Sequence, residues 1–363
     1  MDPMVLPYRE YRPAVRPLLR CGPGAVVIGR TEVGDSVALG RLAVLRGDGE
    51  RISIGSGCWL GARATVHIAD DEHGSVVGGD VVVGRYALVH GCTLADRVVV
   101  GDAAVVMDRA VVGPGAVIAT GALVPPGKKL AGGRLYAGSP ARPVRTLTSG
   151  EVDQLAAAVR RSEPSPATAT DDDPLPPLDD TAFRPPGSSG PLHGSNGSTP
   201  VIPGSAYVAP TAAVWGDVRL GRDASVWFST AMRAGRGRIV VGDRTNVQDN
   251  SFVDVAETGA STEIGNDVTI GHNVRLEACR IGDRCLVGMG ATVSAGVTVE
   301  DDALVGARAW VAPGTVVRAG WIWAGRPAKP FREVRPEEAD YFRQGKEIYE
   351  GYARDYQAGG REE

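Results

Sequence analysis

The chain has few aromatic residues and no long apolar run. Only 6% of its 363 residues are aromatic, whereas 49 are glycine. Such a composition excludes a core built on large rings, and it favours small and aliphatic side chains joined by many tight turns. No stretch approaches the roughly 18 consecutive apolar residues of a membrane-spanning helix. We therefore expect no association with a membrane.

Clusters of lysine and arginine interleaved with aromatic residues are also missing, and the net charge is −4. Nucleic acid is therefore not an expected partner. The region from Met1 to Arg20 lacks the apolar core of a secretory signal. The cysteines are odd in number and contain no CxxC pair, which indicates reduced thiols in a cytoplasmic protein. They are Cys21, Cys58, Cys92, Cys279 and Cys285.

Aliphatic residues recur at every sixth position in both halves. The first half shows Leu94, Val100, Val106, Val112, Ile118 and Val124, and the second shows Ile281, Val287, Val293, Val299, Val305, Val311 and Val317. A six-residue period is typical of a parallel β-helix, in which each short strand contributes one inward aliphatic residue. Three strands close one triangular coil, so residues about 18 apart are expected to stack. The sequence therefore predicts an all-β solenoid.

The chain divides at a segment of different composition. Residues 162–205 are rich in Pro, Ser, Asp and Gly, which predicts a disordered linker. Residues 1–161 form one predicted β-helix domain and residues 206–363 the other, and a helical pattern ends each. The longer of these helical stretches carries Tyr341, Phe342, Ile348, Tyr349 and Tyr352 near one stripe. That stripe predicts packing against the coil or a neighbouring domain, because a solenoid end needs a cap.

The two halves align without a gap at a shift of 187 residues, the distance from Arg46 to Arg233. In that register each half breaks a three-histidine pattern and keeps what the other half has lost. The first half has His67, Arg85 and His90 where the second has Asp254, His272 and Glu277. The surviving residues His67, His90 and His272 would complete one set of metal ligands. The leftover arginine and two carboxylates would form a salt bridge in place of a metal.

The repeats, the matching endings Tyr136–Ala141 and Trp323–Ala328, and the histidine positions resemble the γ-class carbonic anhydrase family. The motifs Arg46-Gly47-Asp48 and Thr245-Asn246-Val247-Gln248-Asp249 also match. The resemblance covers both halves and omits the linker. It implies two left-handed parallel β-helix domains, each followed by a C-terminal α-helix. It also implies a trimeric arrangement of domains and CO2 or bicarbonate as the substrate.

The resemblance further implies a ligand set and supporting residues. Zinc, with Fe2+ or Co2+ as alternatives, would be held by His67 and His90 of one domain and by His272 of its neighbour. Three neutral imidazoles leave an open position where a bound water reaches a pKa of about 7. Gln248 is implied to contact that water, with Asp249 beside it. Arg46 and Asp48 are implied to tie the interface together.

Several alternatives stay open at this point. Mixed rings would join first and second domains at one complete site, with Arg85 meeting Asp254 and Glu277 at the opposite interface. Segregated rings would leave Asp254, His272 and Glu277 as a possible zinc, iron or manganese set. Other functions are a metal-dependent enzyme acting on a thioester or a specialised metabolite, and a non-catalytic scaffold. A CoA-dependent hexapeptide acyltransferase is less favoured, because it would leave the metal-site motifs unexplained. His73, in an acidic loop, is either a proton shuttle or merely solvated, and His193 in the linker is expected to be inert.

Overall fold

Short parallel strands repeat along both halves of the chain. The computed structural model describes residues 2–18, 20–69, 73–161, 191–255 and 259–359, apart from the side chains of 341–343. The described chain divides into two compact units, Met1–Ala169 and Thr170–Glu363. Each is an all-β parallel solenoid, which confirms the predicted fold class.

The first unit contains twenty strands and one helix in its described residues. They are β1 (Met4–Leu6), β2 (Ala14–Val15), β3 (Arg20–Cys21), β4 (Val26–Val33), β5 (Ala38–Leu39), β6 (Val44–Ile54), β7 (Trp59–Leu60), β8 (Thr65–His67), β9 (Ser75–Val77), β10 (Val82–Val83), β11 (Leu88–His90), β12 (Thr93–Leu94), β13 (Val99–Val100), β14 (Val105–Val106), β15 (Val111–Val112), β16 (Val117–Ile118), β17 (Leu123–Val124), β18 (Lys129–Leu130), β19 (Arg134–Ala137), β20 (Arg142–Thr146) and α1 (Ser149–Arg161).

The second unit repeats the plan with a longer terminal helix. Its described elements are β21 (Leu192–His193), β22 (Tyr207–Val208), β23 (Ala213–Trp215), β24 (Val218–Leu220), β25 (Ser225–Val226), β26 (Ala231–Arg233), β27 (Arg238–Val241), β28 (Asn246–Val247), β29 (Phe252–Asp254), β30 (Ser261–Ile264), β31 (Thr269–Ile270), β32 (Arg275–Glu277), β33 (Arg280–Ile281), β34 (Leu286–Val287), β35 (Thr292–Val293), β36 (Thr298–Val299), β37 (Leu304–Val305), β38 (Trp310–Val311), β39 (Val316–Val317), β40 (Trp321–Gly325), β41 (Ala328–Glu333) and α2 (Pro336–Gly359).

Most strands pair in parallel with the strand three places further along the chain, so that a sheet forms one face of the coils. The last two strands of each unit, β19 with β20 and β40 with β41, pair antiparallel instead. The second unit has three such sheets, of seven, eight and six strands. In the first unit β4 and β6 are long enough to run through two faces, which joins them into a sheet of twelve strands beside one of eight. Val99 pairs with Val117, and Val117 with Leu135, as the six-residue period predicts.

The inward aliphatic residues form the core of each unit. In the first unit Val66, Val89, Val106 and Val124 lie on successive coils and are fully buried. Burying such a side chain stabilises the fold by about 1.5–3 kcal/mol. One inward aliphatic residue therefore holds each coil to the next, although most strands have only two or three residues. This regular stack fixes which side chains on neighbouring coils face one another.

One turn next to a predicted ligand requires glycine. Gly91, which follows His90, has a φ of 48°, in the left-handed region that favours glycine. A Cβ atom added there would lie 2.4 Å from the Cβ of Ala69 on the preceding coil. The chain therefore turns sharply after His90, and a side chain at position 91 would push the two coils apart.

Each terminal helix begins at an equivalent pair of charged residues. Glu151 accepts a hydrogen bond from the backbone N–H of Thr148, and Arg145 donates to the same carboxylate. In the second unit Glu338 accepts one from the backbone N–H of Arg335, at 2.9 Å, and a pair from the Arg332 guanidinium. A carboxylate in the first turn also interacts favourably with the helix dipole.

The two helices cover different strands. Helix α1 packs against β10 and β13, where Val152 lies in a small apolar cluster with Val82 and Val99. Helix α2 packs against β22, β25, β28 and β31. The predicted packing of the tyrosine stripe is confirmed, because Tyr349 and Tyr352 both make edge contacts with Trp227.

The second unit begins earlier than the sequence predicts. Residues 162–190 of the predicted linker lie outside the described residues. Residues 191–205 are ordered: β21 pairs with β23, and Val201 pairs with Arg219. His193 is buried, with its ring centroid 5.7 Å from that of Trp215, so its assignment to a disordered linker was wrong. Among the described helices, none has the length and hydropathy needed to cross a membrane.

Candidate metal centre

Two of the predicted ligands lie side by side in the first unit. The parallel register of β6, β8 and β11 aligns Arg46 with His67, and His67 with His90. His67 Nδ1 lies 3.2 Å from His90 Nε2, and the two ring centroids are 5.2 Å apart. Both histidines are buried. The stacking of the coils thus brings two imidazole nitrogens together from positions 23 residues apart in the chain.

A carboxylate lies behind each of these rings. Asp48 Oδ1 is 3.1 Å from His67 Nε2, and Asp108 Oδ1 makes a short contact with His90 Nδ1. A neutral imidazole donates from one nitrogen and accepts at the other. We assign the N–H groups to the nitrogens that face the carboxylates, since a carboxylate can only accept. His67 Nδ1 and His90 Nε2 then present lone pairs to each other, an arrangement that a shared cation satisfies.

Asp108 is a supporting residue that sequence reasoning missed. It lies 18 residues after His90, which is one coil further along the solenoid. The six-residue period contains this signal, because residues 18 apart stack on the same face. A carboxylate that orients a ligand histidine commonly affects metal affinity by about 10- to 100-fold.

Arg46 and Asp48 form a fully buried ion pair in the first unit. Arg46 Nη1 donates to Asp48 Oδ2 at 2.5 Å, and both side chains have 0% exposure. The other oxygen of Asp48 is the one that faces His67. Arg46 therefore supplies the charge that allows Asp48 to be ionised in the interior. Within the unit, the pair acts as a support for His67.

The third predicted ligand lies in the second unit with a similar support. His272 has 0% exposure, and its Nδ1 is 3.1 Å from Asp249 Oδ2, which is equally buried. The other oxygen of Asp249 accepts a hydrogen bond from the backbone N–H of Phe228. His272 Nε2 faces the hydroxyl of Tyr349 on helix α2, at 3.2 Å. With Nδ1 turned to the carboxylate, Nε2 is the nitrogen that carries the lone pair.

Gln248 has one free polar atom. Its Nε2 donates to Asn246 Oδ1 at 3.1 Å, and Asn246 Nδ2 donates to Thr269 Oγ1. Gln248 Oε1 is buried and has no hydrogen-bond partner in the described part of the chain. A buried acceptor without a donor is unfavourable by about 1–3 kcal/mol. This oxygen is therefore available to a ligand or a water that donates a hydrogen bond.

Arg85 takes the place of the third histidine in the first unit and has its own partner there. Its Nε and Nη2 donate to Asp102 Oδ2 at 3.0 and 2.5 Å, and its backbone N–H donates to Asp102 Oδ1. In the second unit the position of Asp102 is occupied by Met289, beside His272. Arginine and aspartate therefore stand in one unit where histidine and methionine stand in the other.

Asp254 and Glu277 replace the other two histidines in the second unit, in the same strand ladder as Arg233. Arg233 donates twice to Asp254, at 3.1 and 2.6 Å. Glu277 makes a short ion pair with Arg275. Thus Arg85, Asp254 and Glu277 each have an oppositely charged partner within their own unit. A salt bridge among these three stays a prediction.

The second unit lacks the two histidines of this ladder, and it also lacks the carboxylates that lie behind them in the first unit. The second unit has Gly235 at the position of Asp48, and Ala295 at the position of Asp108. A carboxylate at either position would face Asp254 or Glu277, and like charges in proximity are unfavourable. The loss of a histidine therefore goes together with the loss of the carboxylate behind it.

The remaining candidates give no sign of nucleophilic catalysis. Burial raises the pKa of the Cys92 thiol, and it raises those of Cys58 and Cys279 to about 11 and about 12. These thiols are therefore protonated at neutral pH and are poor nucleophiles. His73 pairs with Ala69 through backbone hydrogen bonds, while its acidic neighbours 70–72 lie outside the described residues.

Comparison with known proteins agrees with this architecture. A family model described as bacterial transferase hexapeptide (six repeats) matches residues 261–295. A second, hexapeptide repeat of succinyl-transferase, matches residues 51–85 and 296–320. A carbonic anhydrase from Geobacillus kaustophilus is 32% identical over 142 residues, which are 39% of this chain and 78% of that protein. The chain belongs to the γ-class carbonic anhydrase family of hexapeptide-repeat proteins.

Other members of the family match over a smaller share of their length. Gamma carbonic anhydrase 1, mitochondrial, from Arabidopsis thaliana is 39% identical over 164 residues, which cover 44% of this chain and 60% of that protein. The chain thus spans about three fifths of this relative. A crystal structure of a hexapeptide transferase family protein from Anaplasma phagocytophilum shares 36% identity with a TM-score of 0.44, covering 46% of this chain and 98% of that one.

Proposed function

We propose that the chain is a zinc-dependent, carbonic-anhydrase-like enzyme that hydrates CO2 or carries out closely related lyase chemistry. One observation carries the proposal: His67 Nδ1 and His90 Nε2 face each other at 3.2 Å, while their other nitrogens face carboxylates. Buried histidines backed by carboxylates are the usual arrangement of metal ligands. The family to which the chain belongs supports the same reading.

The donor set fits zinc. His67 and His90 would contribute two neutral imidazole nitrogens, and His272 Nε2 from a second-unit domain would contribute the third. Zinc held by these three neutral histidines would lower the pKa of water to about 7 and would supply hydroxide for attack on CO2. The proposal of a composite site is supported by complementarity, since each unit lacks the ligands that the other retains.

Residues around the ligands have distinct parts in this proposal. Asp48 orients His67 and is itself neutralised by Arg46, while Asp249 orients His272. Gln248 Oε1, buried and lacking a partner among the described residues, would accept a hydrogen bond from water or bicarbonate. This role makes Gln248 the catalytic residue of the set, and the others positioning residues.

Assembly, metal and compartment belong to the same proposal. A trimeric arrangement of domains in mixed rings would bring His272 to the pair formed by His67 and His90. Fe2+ or Co2+ would suit the same three nitrogens, although zinc fits a site without redox chemistry. A cytoplasmic location is supported by the five cysteines, none of which forms a disulfide.

Metal content per chain tests the proposal. It should be measured by elemental analysis on the wild type, His67→Ala and His272→Ala, with CO2 hydration followed by stopped flow. We expect about one zinc per chain in the wild type, and the loss of both zinc and activity in each variant. Zinc retained by His67→Ala and lost from His272→Ala would instead support a ring of second domains that uses Asp254 and Glu277. A wild type that takes up no metal would favour a scaffold.

A further inference from the structure

We propose that the Tyr349 hydroxyl competes with the metal for the ligand nitrogen of His272, so that metal affinity is set in part by helix α2. The inference rests on the proposed function, because it assumes that His272 is a ligand. It goes beyond that function by naming a residue that regulates loading of the site. Tyr349 lies 77 residues from His272 in the chain.

The orientation of the His272 ring leaves only one nitrogen for a metal. Its Nδ1 faces Asp249 Oδ2 at 3.1 Å, and neither side chain has any exposed surface. Because a carboxylate can only accept, its proximity favours the proton on Nδ1 and leaves the lone pair on Nε2. Tyr349 Oη lies 3.2 Å from that Nε2, so the phenol donates its proton to the lone pair that would bind zinc.

The phenol ring is held firmly at this place. Tyr349 is buried, and its ring packs edge-on against Trp227 with centroids 5.0 Å apart. One turn earlier on the helix, Lys346 pairs with Asp267 and with Glu350, at 3.2 Å each. Because the ring and the helix are fixed by other contacts, removing the hydroxyl alone should leave the helix in position.

A metal can use His272 Nε2 only if the hydroxyl gives up this hydrogen bond. Loading of the site therefore exchanges an internal hydrogen bond for a metal–nitrogen bond, and the metal-free state is favoured by the bond that is lost. A hydrogen bond contributes about 0.5–1.5 kcal/mol net, which corresponds to roughly a two- to tenfold change in affinity.

The variant Tyr349→Phe separates this role from a structural one. It keeps the ring that packs on Trp227 and removes only the hydroxyl. The matched control is Tyr352→Phe, which removes a buried hydroxyl one turn further along the same helix. Zinc dissociation constants should be measured on the full chain by competition with a chelator, together with the Tm of the metal-free protein.

We expect Tyr349→Phe to bind zinc about two- to tenfold more tightly than the wild type, and to have a lower Tm when free of metal. Tyr352→Phe should bind zinc as the wild type does. Unchanged or weaker binding by Tyr349→Phe would overturn the competition while leaving the proposed function intact. If neither the wild type nor the variants bind zinc, both the proposed function and the competition are wrong.

Discussion

The two units contain the same strand ladder and equip it differently. In the first unit Arg46, His67 and His90 follow one another across three coils, with Asp48 and Asp108 behind the rings. In the second unit the same ladder is Arg233, Asp254 and Glu277, and Gly235 and Ala295 occupy the positions of Asp48 and Asp108. A histidine of this ladder and the carboxylate behind it are thus retained or lost together, which supports the proposal that they act as one group.

The sharpest contrast lies in how the two ladder arginines are buried. Arg46→Met would leave Asp48 as a buried charge without its guanidinium, and we expect a loss of about 3–5 kcal/mol in unfolding free energy. Arg233→Met removes an ion pair whose side chains are 19% and 17% exposed, so we expect a loss of about 1 kcal/mol. Urea denaturation measures the unfolding free energy of both variants. Equal losses would show that burial does not distinguish the two arginines.

Removal of a carboxylate should lower zinc affinity only where that carboxylate contacts a proposed ligand histidine. Asp108→Ala removes the acceptor behind His90, and we expect zinc affinity to fall by about 10- to 100-fold. Asp102→Ala is the control, because that carboxylate accepts hydrogen bonds from Arg85. Chelator competition gives the dissociation constants. Equal losses of affinity in the two variants would contradict the assignment.

The effects of substituting Arg85 and Asp102 on stability should be coupled, because the two side chains form an ion pair. Arg85→His alone leaves Asp102 nearly buried without its guanidinium, whereas Arg85→His with Asp102→Met recreates the residues of the second unit. We expect the double variant to be more stable than the sum of the single changes by about 1–2 kcal/mol.

Arg97 and Asp153 provide the control cycle, since this pair is 45% and 67% exposed. Its coupling energy should be close to zero. Denaturation midpoints of all single and double variants give both values. A coupling for Arg85 and Asp102 that is no larger than the control would mean that the two substitutions are independent.

The smallest expected effect concerns the first turn of the terminal helices, where both units have the same pair of a glutamate and an arginine. Hydrogen bonds from Arg332 lower the pKa of Glu338 to about 2, below its ordinary value of 4.5. Because the folded pKa is the lower one, the stabilisation is present above pH 4.5 and is lost as the pH falls towards about 2. Helix content measured by circular dichroism should be lower for Glu338→Gln than for the wild type at pH 6. The two should converge near pH 2, and a difference that persists there would contradict the ionic origin.

Periodicity in the sequence predicted the fold, which the structure confirms, and it led to the three histidines, whose role as ligands stays a prediction. The six-residue period fixes the coils, and the shift of 187 residues compares positions that occupy equivalent places. Sequence reasoning missed Tyr349 as a partner of His272, because a contact between a helix and a coil has no fixed spacing in the chain. It also placed the start of the second unit too late, because β-helix corners use the same small and turn-forming residues as a disordered linker.

The ion pair between Arg85 and Asp102 affects how the two halves of the chain can evolve. A single change back to histidine would leave a nearly buried aspartate without its guanidinium, so the intermediate would be less stable than either end point. Selection for folding then opposes each step towards restoring three histidines in one copy. Under the proposed function, the first half regains a third histidine only when Arg85 and Asp102 change together, and this requirement keeps both halves necessary.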